Sequence, residues 1–158
     1  MIILDLDNCI ADDRARIPLI RWDLAGDARY HAYHLALGED PLANEHLFRG
    51  WEPNILIFTG RPTAYRAATM CWLERHRVAY RHLLMRNPND PRSSAQVKLQ
   101  QLAWVEDYYG IYLPAVHCAY DDREDICAMY RTAGVRAERV AIHDVCAYTN
   151  PLTKEAHA

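Results

Sequence analysis

The sequence predicts an α/β fold: a three-layer, Rossmann-like arrangement with a central parallel sheet and a small helical insertion after the first strand. Three observations carry this expectation. Short apolar runs each end in a cluster of polar residues, as strands buried on both faces do. Segments of helical period lie between those runs, and such alternation favours a parallel sheet covered on both sides. One stretch, residues 13–52, interrupts the alternation directly after the first run.

Ile2-Ile3-Leu4 is the first run and ends in Asp5. The interrupting stretch contains Pro18, Gly26, Gly38, Pro41 and Gly50, with helical pieces expected over 17–24 and 30–37. Ile55-Leu56-Ile57-Phe58 is the second run and leads into Thr59-Gly60-Arg61-Pro62. Thr63 then caps a predicted helix whose inward face is Ala64, Ala67, Ala68, Cys71 and Trp72, the i, i+3, i+4, i+7, i+8 pattern. A weaker strand is expected over 80–85. Ser94 caps a second helix with Val97, Leu102, Val105 and Tyr109 inward, ended by Gly110. Ala115-Val116 leads through Tyr120 to Asp121-Asp122. A third helix runs from about Glu124, with Ile126, Met129, Tyr130 and Ala133 inward, to Gly134, and a last weak strand follows over 139–142.

A chain of 158 residues is long enough for one domain with a real core and short for two. The expected organisation is a single domain over 1–158, with 13–52 a cap-like insertion and 147–158 a loosely ordered tail. Hydrophobic residues at 51% and charged residues at 25% exclude a disordered chain. No apolar run approaches the roughly 20 residues that span a bilayer, and the start is too soon charged for a secretory signal. The expectation is a cytoplasmic protein with no membrane partner. Five cysteines (Cys9, Cys71, Cys118, Cys127 and Cys146) include no Cys-x-x-Cys pair, which argues against a disulfide framework or structural zinc. Cys9 is a poor nucleophile candidate, because Asp12 and Asp13 beside it would repel thiolate and phosphate alike.

In parallel sheets, ligands bind beyond the carboxyl ends of the strands. Asp5, Thr59 and Asp121 would all stand there, three polar clusters converging on one crevice. Charge is segregated too. Residues 61–98 carry eight basic and two acidic side chains, a balance of +6; with a net −3 for the whole chain, the remainder carries −9. That asymmetry permits a metal site facing an anionic ligand. Taken alone, each residue has a bland reading: a strand-end aspartate is as often a turn former or helix cap, and Lys98 would sit solvated on its helix. His31 and His34, at i, i+3, are better read as packing near the site than as a metal pair.

Leu4-Asp5-Leu6-Asp7-Asn8-Cys9 resembles the first motif of the haloacid dehalogenase-like (HAD) phosphatases, Asp-x-Asp-x-Thr after an apolar strand, with Cys9 where threonine is usual. Phe58-Thr59-Gly60-Arg61 resembles the second motif, Lys98 the third, and Tyr120-Asp121-Asp122-Arg123 the acidic fourth. Within that superfamily the likeness is closest to the phosphatase domain of polynucleotide kinase–phosphatase. It rests on the Thr-Gly-Arg turn, on Tyr-Asp-Asp-Arg followed by Met129-Tyr130-Arg131 and Gly134-Val135, and on a lysine before Trp104.

The resemblance implies a phosphomonoester hydrolase with Mg²⁺ as cofactor. Asp5 would be the nucleophile, Asp7 the acid and base, Thr59 and Lys98 further catalytic groups. Thr59, Gly60, Arg61 and Arg123 would contact substrate. Asp5, the Asp7 backbone carbonyl and Asp122 would hold the metal, with Asp121 a further candidate ligand and Asp5 and Asp122 both required. A cation is needed because a phosphate dianion and a carboxylate repel, by roughly 4 kcal/mol per pair of unit charges at 4 Å and a dielectric of about 20. The implied substrate is a phosphorylated nucleotide or nucleic acid 3′ end. Nucleoside monophosphates and sugar phosphates are alternatives, as are a phosphomutase, a glycosyltransferase and a non-catalytic phosphate-binding protein. Tyr30, Tyr33 and Trp51 could stack on a base. No Gly-x-x-x-x-Gly-Lys-Ser/Thr loop occurs, so a free-standing phosphatase without a kinase domain is expected. The oligomeric state is left open.

Overall fold

In the computed structural model, which describes residues 1–143, the N-terminal apolar run forms strand β1 (Ile2–Leu4), all of it buried. Two short helices follow, α1 (Gly26–Arg29) and α2 (His31–Leu35). Then come β2 (Ile55–Pro62), α3 (Arg66–Arg75), β3 (His82–Arg86), α4 (Ser94–Asp107), β4 (Cys118–Asp121), α5 (Glu124–Thr132) and β5 (Ala137–Arg139). The strands form one sheet in the order β3-β2-β1-β4-β5, every neighbouring pair parallel. This is the α/β architecture that the alternation predicts.

The two-residue period of a strand sorts the core into two layers. Ile2, Leu4, Ile55, Ile57, Leu83 and Met85 face one side, where Trp72 and Leu73 of α3 cover them with Phe48 and Ile10. Ile3, Leu56, Phe58, Leu84 and Ala119 face the other, where Leu102 and Val105 of α4 meet Ile126, Cys127 and Tyr130 of α5. Gly110 (φ +62°) and Gly134 (φ +82°) follow the ends of α4 and α5 in the left-handed conformation, as expected of helix-terminating glycines.

Several expectations need correction. Thr63 does not cap α3: a 3-10 turn, Thr63–Tyr65, intervenes, and the helix begins at Arg66. Its inward residues are Thr69, Trp72 and Leu73, while Ala64, Ala67, Ala68 and Cys71 are exposed. The bulk of Trp72 and Leu73 sets the buried face, and the small residues fall outside it. Ser93, not Ser94, caps α4, in a capping box with Gln96. Tyr109 is half exposed. The expected strand from Ala115 starts only at Cys118, after a 3-10 turn over Leu113–Ala115. The last strand lies at Ala137–Arg139 rather than 139–142. Between β1 and β2 the helical pieces are shorter than expected, with only a 3-10 turn (Ile17–Leu19) in the first. The tail and Cys146 lie outside the described residues; Cys9, Cys71, Cys118 and Cys127 are free. No helix among the described residues is long and apolar enough to cross a membrane.

Candidate active site

Register places the first functional group. Leu4 pairs with Ile57 and Tyr120 on its two sides, so Asp5 leaves the sheet between β2 and β4. Its N–H still donates to the Tyr120 carbonyl at 3.0 Å. Strand order reverses between β1 and β4, which opens a crevice at their carboxyl ends. Asp121 ends β4 and Asp122 follows it. Carboxylate oxygens of Asp5, Asp121 and Asp122 lie within 4.8 Å of one another, and all three residues are buried.

Lys98 completes this cluster from α4, the capping box at Ser93 fixing where that helix begins. Its Nζ lies 2.9 Å from Asp5 Oδ1 and 2.5 Å from Asp121 Oδ2. Burial raises the Asp5 carboxyl well above the usual range; Lys98 opposes the shift, while Asp121 and Asp122 add to it. Asp122 is pushed up to about 6 by burial and by the charge of Asp121. Burial disfavours the Lys98 ammonium, but Asp121 and Asp5 outweigh it and hold that group well above its ordinary value. Three carboxylates thus face one cation. A hard divalent cation with oxygen ligands fits both the donor set and the missing charge.

The oxygens are not equally available. Asp121 Oδ2 is engaged by Lys98, and its Oδ1 accepts from the Arg123 N–H at 3.1 Å. Asp122 accepts at Oδ2 from Asn8 Nδ2 at 3.1 Å, which leaves Oδ1 without a partner among the described residues. Asp5 likewise gives only Oδ1 to Lys98.

Asp7 sits apart from this triad, in a second charge cluster. Arg61 reaches it with a fork, Nη2 at 2.8 Å from Oδ1 and Nε at 3.0 Å from Oδ2. Arg16 Nη2 lies 2.5 Å from Oδ1. Arg16 also holds Asp40, with Nε at 2.7 Å and Nη2 at 2.5 Å, and donates to the Tyr33 carbonyl at 3.1 Å. Burial alone would raise the Asp7 carboxyl, but the Arg61 and Arg16 guanidiniums prevail and hold it far below the usual carboxylate range. Arg61 is fully buried, and its Nη1 has no hydrogen-bond partner among the described residues.

A pocket of about 950 Å³ opens over Asp5, Asp7, Gly60, Lys98 and Asp122. Thr59 is fully buried, and its Oγ1 accepts from the Arg61 N–H at 3.2 Å. Arg123 lines the pocket, with its guanidinium paired to Asp125 at 2.7 Å. The structure therefore brings Asp5, Lys98, Asp121 and Asp122 together, sets Asp7 with Arg61 beside them, and leaves Arg123 at the pocket wall. Burial raises the Cys9 thiol well above its ordinary value, which agrees with an unreactive residue. His31 bonds Tyr65 and His34 lies among aromatic rings; the histidine pair forms no metal cluster among the described residues.

Three residues were not singled out from sequence: Asn8, Arg16 and Asp40. Asn8 adopts φ +57°, a left-handed conformation that asparagine tolerates. It orients Asp122, and its Oδ1 accepts from the N–H groups of Ile142 and His143 at 3.0 and 2.9 Å. Its place inside the Asp-x-Asp-Asn segment was a usable signal. Asn8→Ala should lower divalent-cation affinity about 10-fold or more, since groups that orient a ligand carry that much. Calorimetric titration of Mg²⁺ checks this, and an unchanged Kd would rule out the orienting role.

A family model described as "Polynucleotide kinase PNKP phosphatase domain" matches residues 1–144. No curated protein matches the chain. Among solved structures, one chain of "Structure of Pnkp1/Rnl/Hen1 complex" is similar at 23% identity and TM-score 0.63, covering 88% of this chain and 44% of that one. The chain thus spans less than half the length of that relative. The haloacid dehalogenase-like family protein SP0104 from Streptococcus pneumoniae matches at 15% identity and TM-score 0.62, covering 99% and 96%. A putative phosphatase from Clostridium difficile matches at 11% identity and TM-score 0.63, covering 98% and 96%. At these identities the structures speak to the fold alone, which they share.

Proposed function

The chain belongs to the polynucleotide kinase PNKP phosphatase-domain family, phosphoric monoester hydrolases of the HAD type, and on that premise we propose that it removes phosphate from nucleic acid 3′ ends or nucleotides through Asp5, with Mg²⁺ as cofactor. The observation that carries this reading is the Asp5 carboxylate at the end of β1. One oxygen is held by Lys98, the other is unspent, and the residue stands on the pocket wall beside Asp122. Segment 13–52 acts in this reading as a cap over the site, within a single domain.

Asp5 Oδ2 attacks phosphorus, and the bond to the leaving oxygen breaks as the aspartyl-phosphate forms. Asp7 gives a proton to the leaving oxygen, then takes one from the water that hydrolyses the aspartyl-phosphate and frees Asp5. The grip of Arg16 and Arg61 keeps Asp7 ionised, ready for the second half. For the first half it must gain a proton, taken up from solvent through the pocket whose wall it forms. Lys98 offsets charge on Asp5. Thr59 supports the turn that presents the Gly60 and Arg61 backbone, and Arg123 reaches substrate by exchanging Asp125 for it. Asp5, Asp122 and the Asp7 carbonyl would hold Mg²⁺, with Asp121 chiefly tied to Lys98; the cation would offset the repulsion between carboxylates and phosphate.

Phosphate release with Mg²⁺ and with EDTA tests this reading, over 3′-phosphorylated oligonucleotides, 3′- and 5′-mononucleotides and sugar phosphates. Release from the 3′-phosphorylated members above the rest, abolished by EDTA, is expected. Preference for sugar phosphates, or release that ignores EDTA, contradicts it.

Stability gives an independent readout of the cation. In the metal-free protein the Asp5 and Asp122 carboxyls sit above their unfolded values. The stabilising contribution of Asp122 is therefore complete below about pH 4 and lost as pH rises through about 6, and that of Asp5 is likewise lost as pH rises. Mg²⁺ binds the ionised form and restores stability at neutral pH. At a hundredfold excess over Kd it should raise Tm at pH 7.5 by about 5–10 °C, and by much less at pH 5. Equal shifts at the two pH values, or none, would refute the assignment.

A further inference from the structure

Asn8 orients Asp122, and its own orientation is set from far along the chain. The bend at Ile142-His143, beyond β5, grips this wholly buried residue from end to end. The Ile142 N–H lies 2.9 Å from the Asn8 backbone carbonyl and 3.0 Å from Oδ1. The His143 N–H donates to Oδ1 at 2.9 Å, and Asn8 Nδ2 donates to the His143 carbonyl at 3.1 Å. The same Nδ2 reaches Asp122 Oδ2 at 3.1 Å. Where the bend stands therefore decides where the carboxamide stands, and with it the Asp122 carboxylate.

The sheet does little to fix this bend. β5 ends at Arg139, and the last bond to a strand is from the Val140 N–H to the Asp121 carbonyl, at 2.8 Å, among the described residues. The side-chain anchor is the His143 ring, whose Nε2 lies 2.8 Å from Asp13 Oδ1. A carboxylate only accepts, so the ring donates. Asp13 is wholly buried, and its other oxygen accepts from Tyr33 Oη at 2.5 Å. A buried carboxylate is costly unless its oxygens are met. Here α2 meets one and the bend meets the other. Tyr33 lines the pocket, and its carbonyl accepts from Arg16. A continuous polar chain thus runs from Asp122 through Asn8, His143 and Asp13 to Tyr33, joining the acidic triad to segment 13–52.

We infer that His143 is a positioning residue for the divalent cation: its ring, anchored on Asp13, fixes the bend that holds Asn8, and Asn8 fixes Asp122. The inference rests on the proposed reading of Asp5 and Asp122 as metal ligands. It assigns the control of cation affinity to a contact between the far end of the fold and the insertion, outside the ligands themselves.

Calorimetric titration of Mg²⁺ into the whole protein, without substrate, tests it. His143→Ala leaves the main-chain bonds to Asn8 possible and removes only the ring. It should raise the Mg²⁺ Kd about fivefold or more, as loss of an outer-shell support does. His143→Gln, whose amide N–H can take the place of Nε2–H, should stay within about twofold of wild type. Because His143 acts through Asn8, the two losses should not add: the Asn8→Ala, His143→Ala double variant should bind Mg²⁺ within about twofold of Asn8→Ala alone. Asp13→Ala breaks the same contact from its other end, so either single variant that keeps a cooperative melting transition decides the matter. In turnover, the loss in His143→Ala should lie in the Mg²⁺ concentration for half-maximal rate and shrink as Mg²⁺ saturates. A lowered Tm with an unchanged Mg²⁺ Kd would show a merely structural contact and overturn the inference. So would losses that multiply in the double variant, or a His143→Gln protein that binds as weakly as His143→Ala. Wild-type protein that binds no Mg²⁺ would instead overturn the metal assignment itself, and the inference with it.

Discussion

Asp5→Asn should abolish turnover, lowering kcat/KM by at least about 10³-fold, while the protein folds as before. The side chain is nearly isosteric, and the surroundings explain why the fold tolerates it. Lys98 keeps its 2.5 Å contact to Asp121, so its ammonium stays paired. One of three mutually repelling carboxylates is gone, and burial had already pushed that carboxyl well above the ordinary range. Thermal stability of the metal-free protein at pH 7.5 should therefore hold or rise. The Mg²⁺-induced rise in Tm should shrink at the same time, because a charged ligand has become neutral. Kinetics and paired melting curves, with and without Mg²⁺, check both halves. More than a few per cent of residual activity would end the nucleophile assignment.

Arg16→Met should cost about 3–5 kcal/mol of stability at neutral pH, as removal of one member of a buried charge cluster does. Arg16 and Arg61 are matched by Asp7 and Asp40, and Arg16 and Asp40 are almost wholly buried. Without Arg16, Asp40 loses its bidentate partner, the Tyr33 carbonyl loses a donor, and one negative charge remains uncompensated. The pH dependence follows from the sign of the Asp7 shift. Its folded value lies below its unfolded one, so in the wild type it stabilises above about pH 4, an effect lost only in strong acid. In the variant the carboxyls of Asp7 and Asp40 move upward, so the deficit should narrow as pH falls from 7 towards 4. Denaturant titrations at several pH values measure it. A loss under about 1 kcal/mol, or one independent of pH, would show that the cluster does not act as a unit. Activity should fall as well, because Arg16 helps to fix Asp7.

Much of the fold could be read from the sequence because its signals were local. Ile2–Leu4 and Ile55–Phe58 are continuous apolar runs, and each ends in the residues that reach the crevice. Asp5 and Asp121-Asp122 could be grouped because the ends of parallel strands converge, whereas Lys98, on a helix, joined them only through the resemblance of its motif. Other features depended on distance or on weak local signals. Arg16 and Asp40 are 24 residues apart in a segment with no sustained period, and nothing local marks them as partners. The face of α3 was misread because alanines and Cys71 mimicked an apolar stripe, while Thr69 and the bulk of Leu73 were overlooked. Arg61 was expected on substrate, and only the folded chain shows its guanidinium on Asp7.

The most direct test of the central claim is chemical trapping of the intermediate. The protein with Mg²⁺ and a ³²P-labelled 3′-phosphorylated substrate would be quenched in acid during turnover and mapped by peptide. The account predicts an acid-stable, hydroxylamine-labile label on the peptide that carries Asp5, absent from Asp5→Asn. Label on another residue, or full turnover with no label in a wild type matched by an active Asp5→Asn protein, would contradict it.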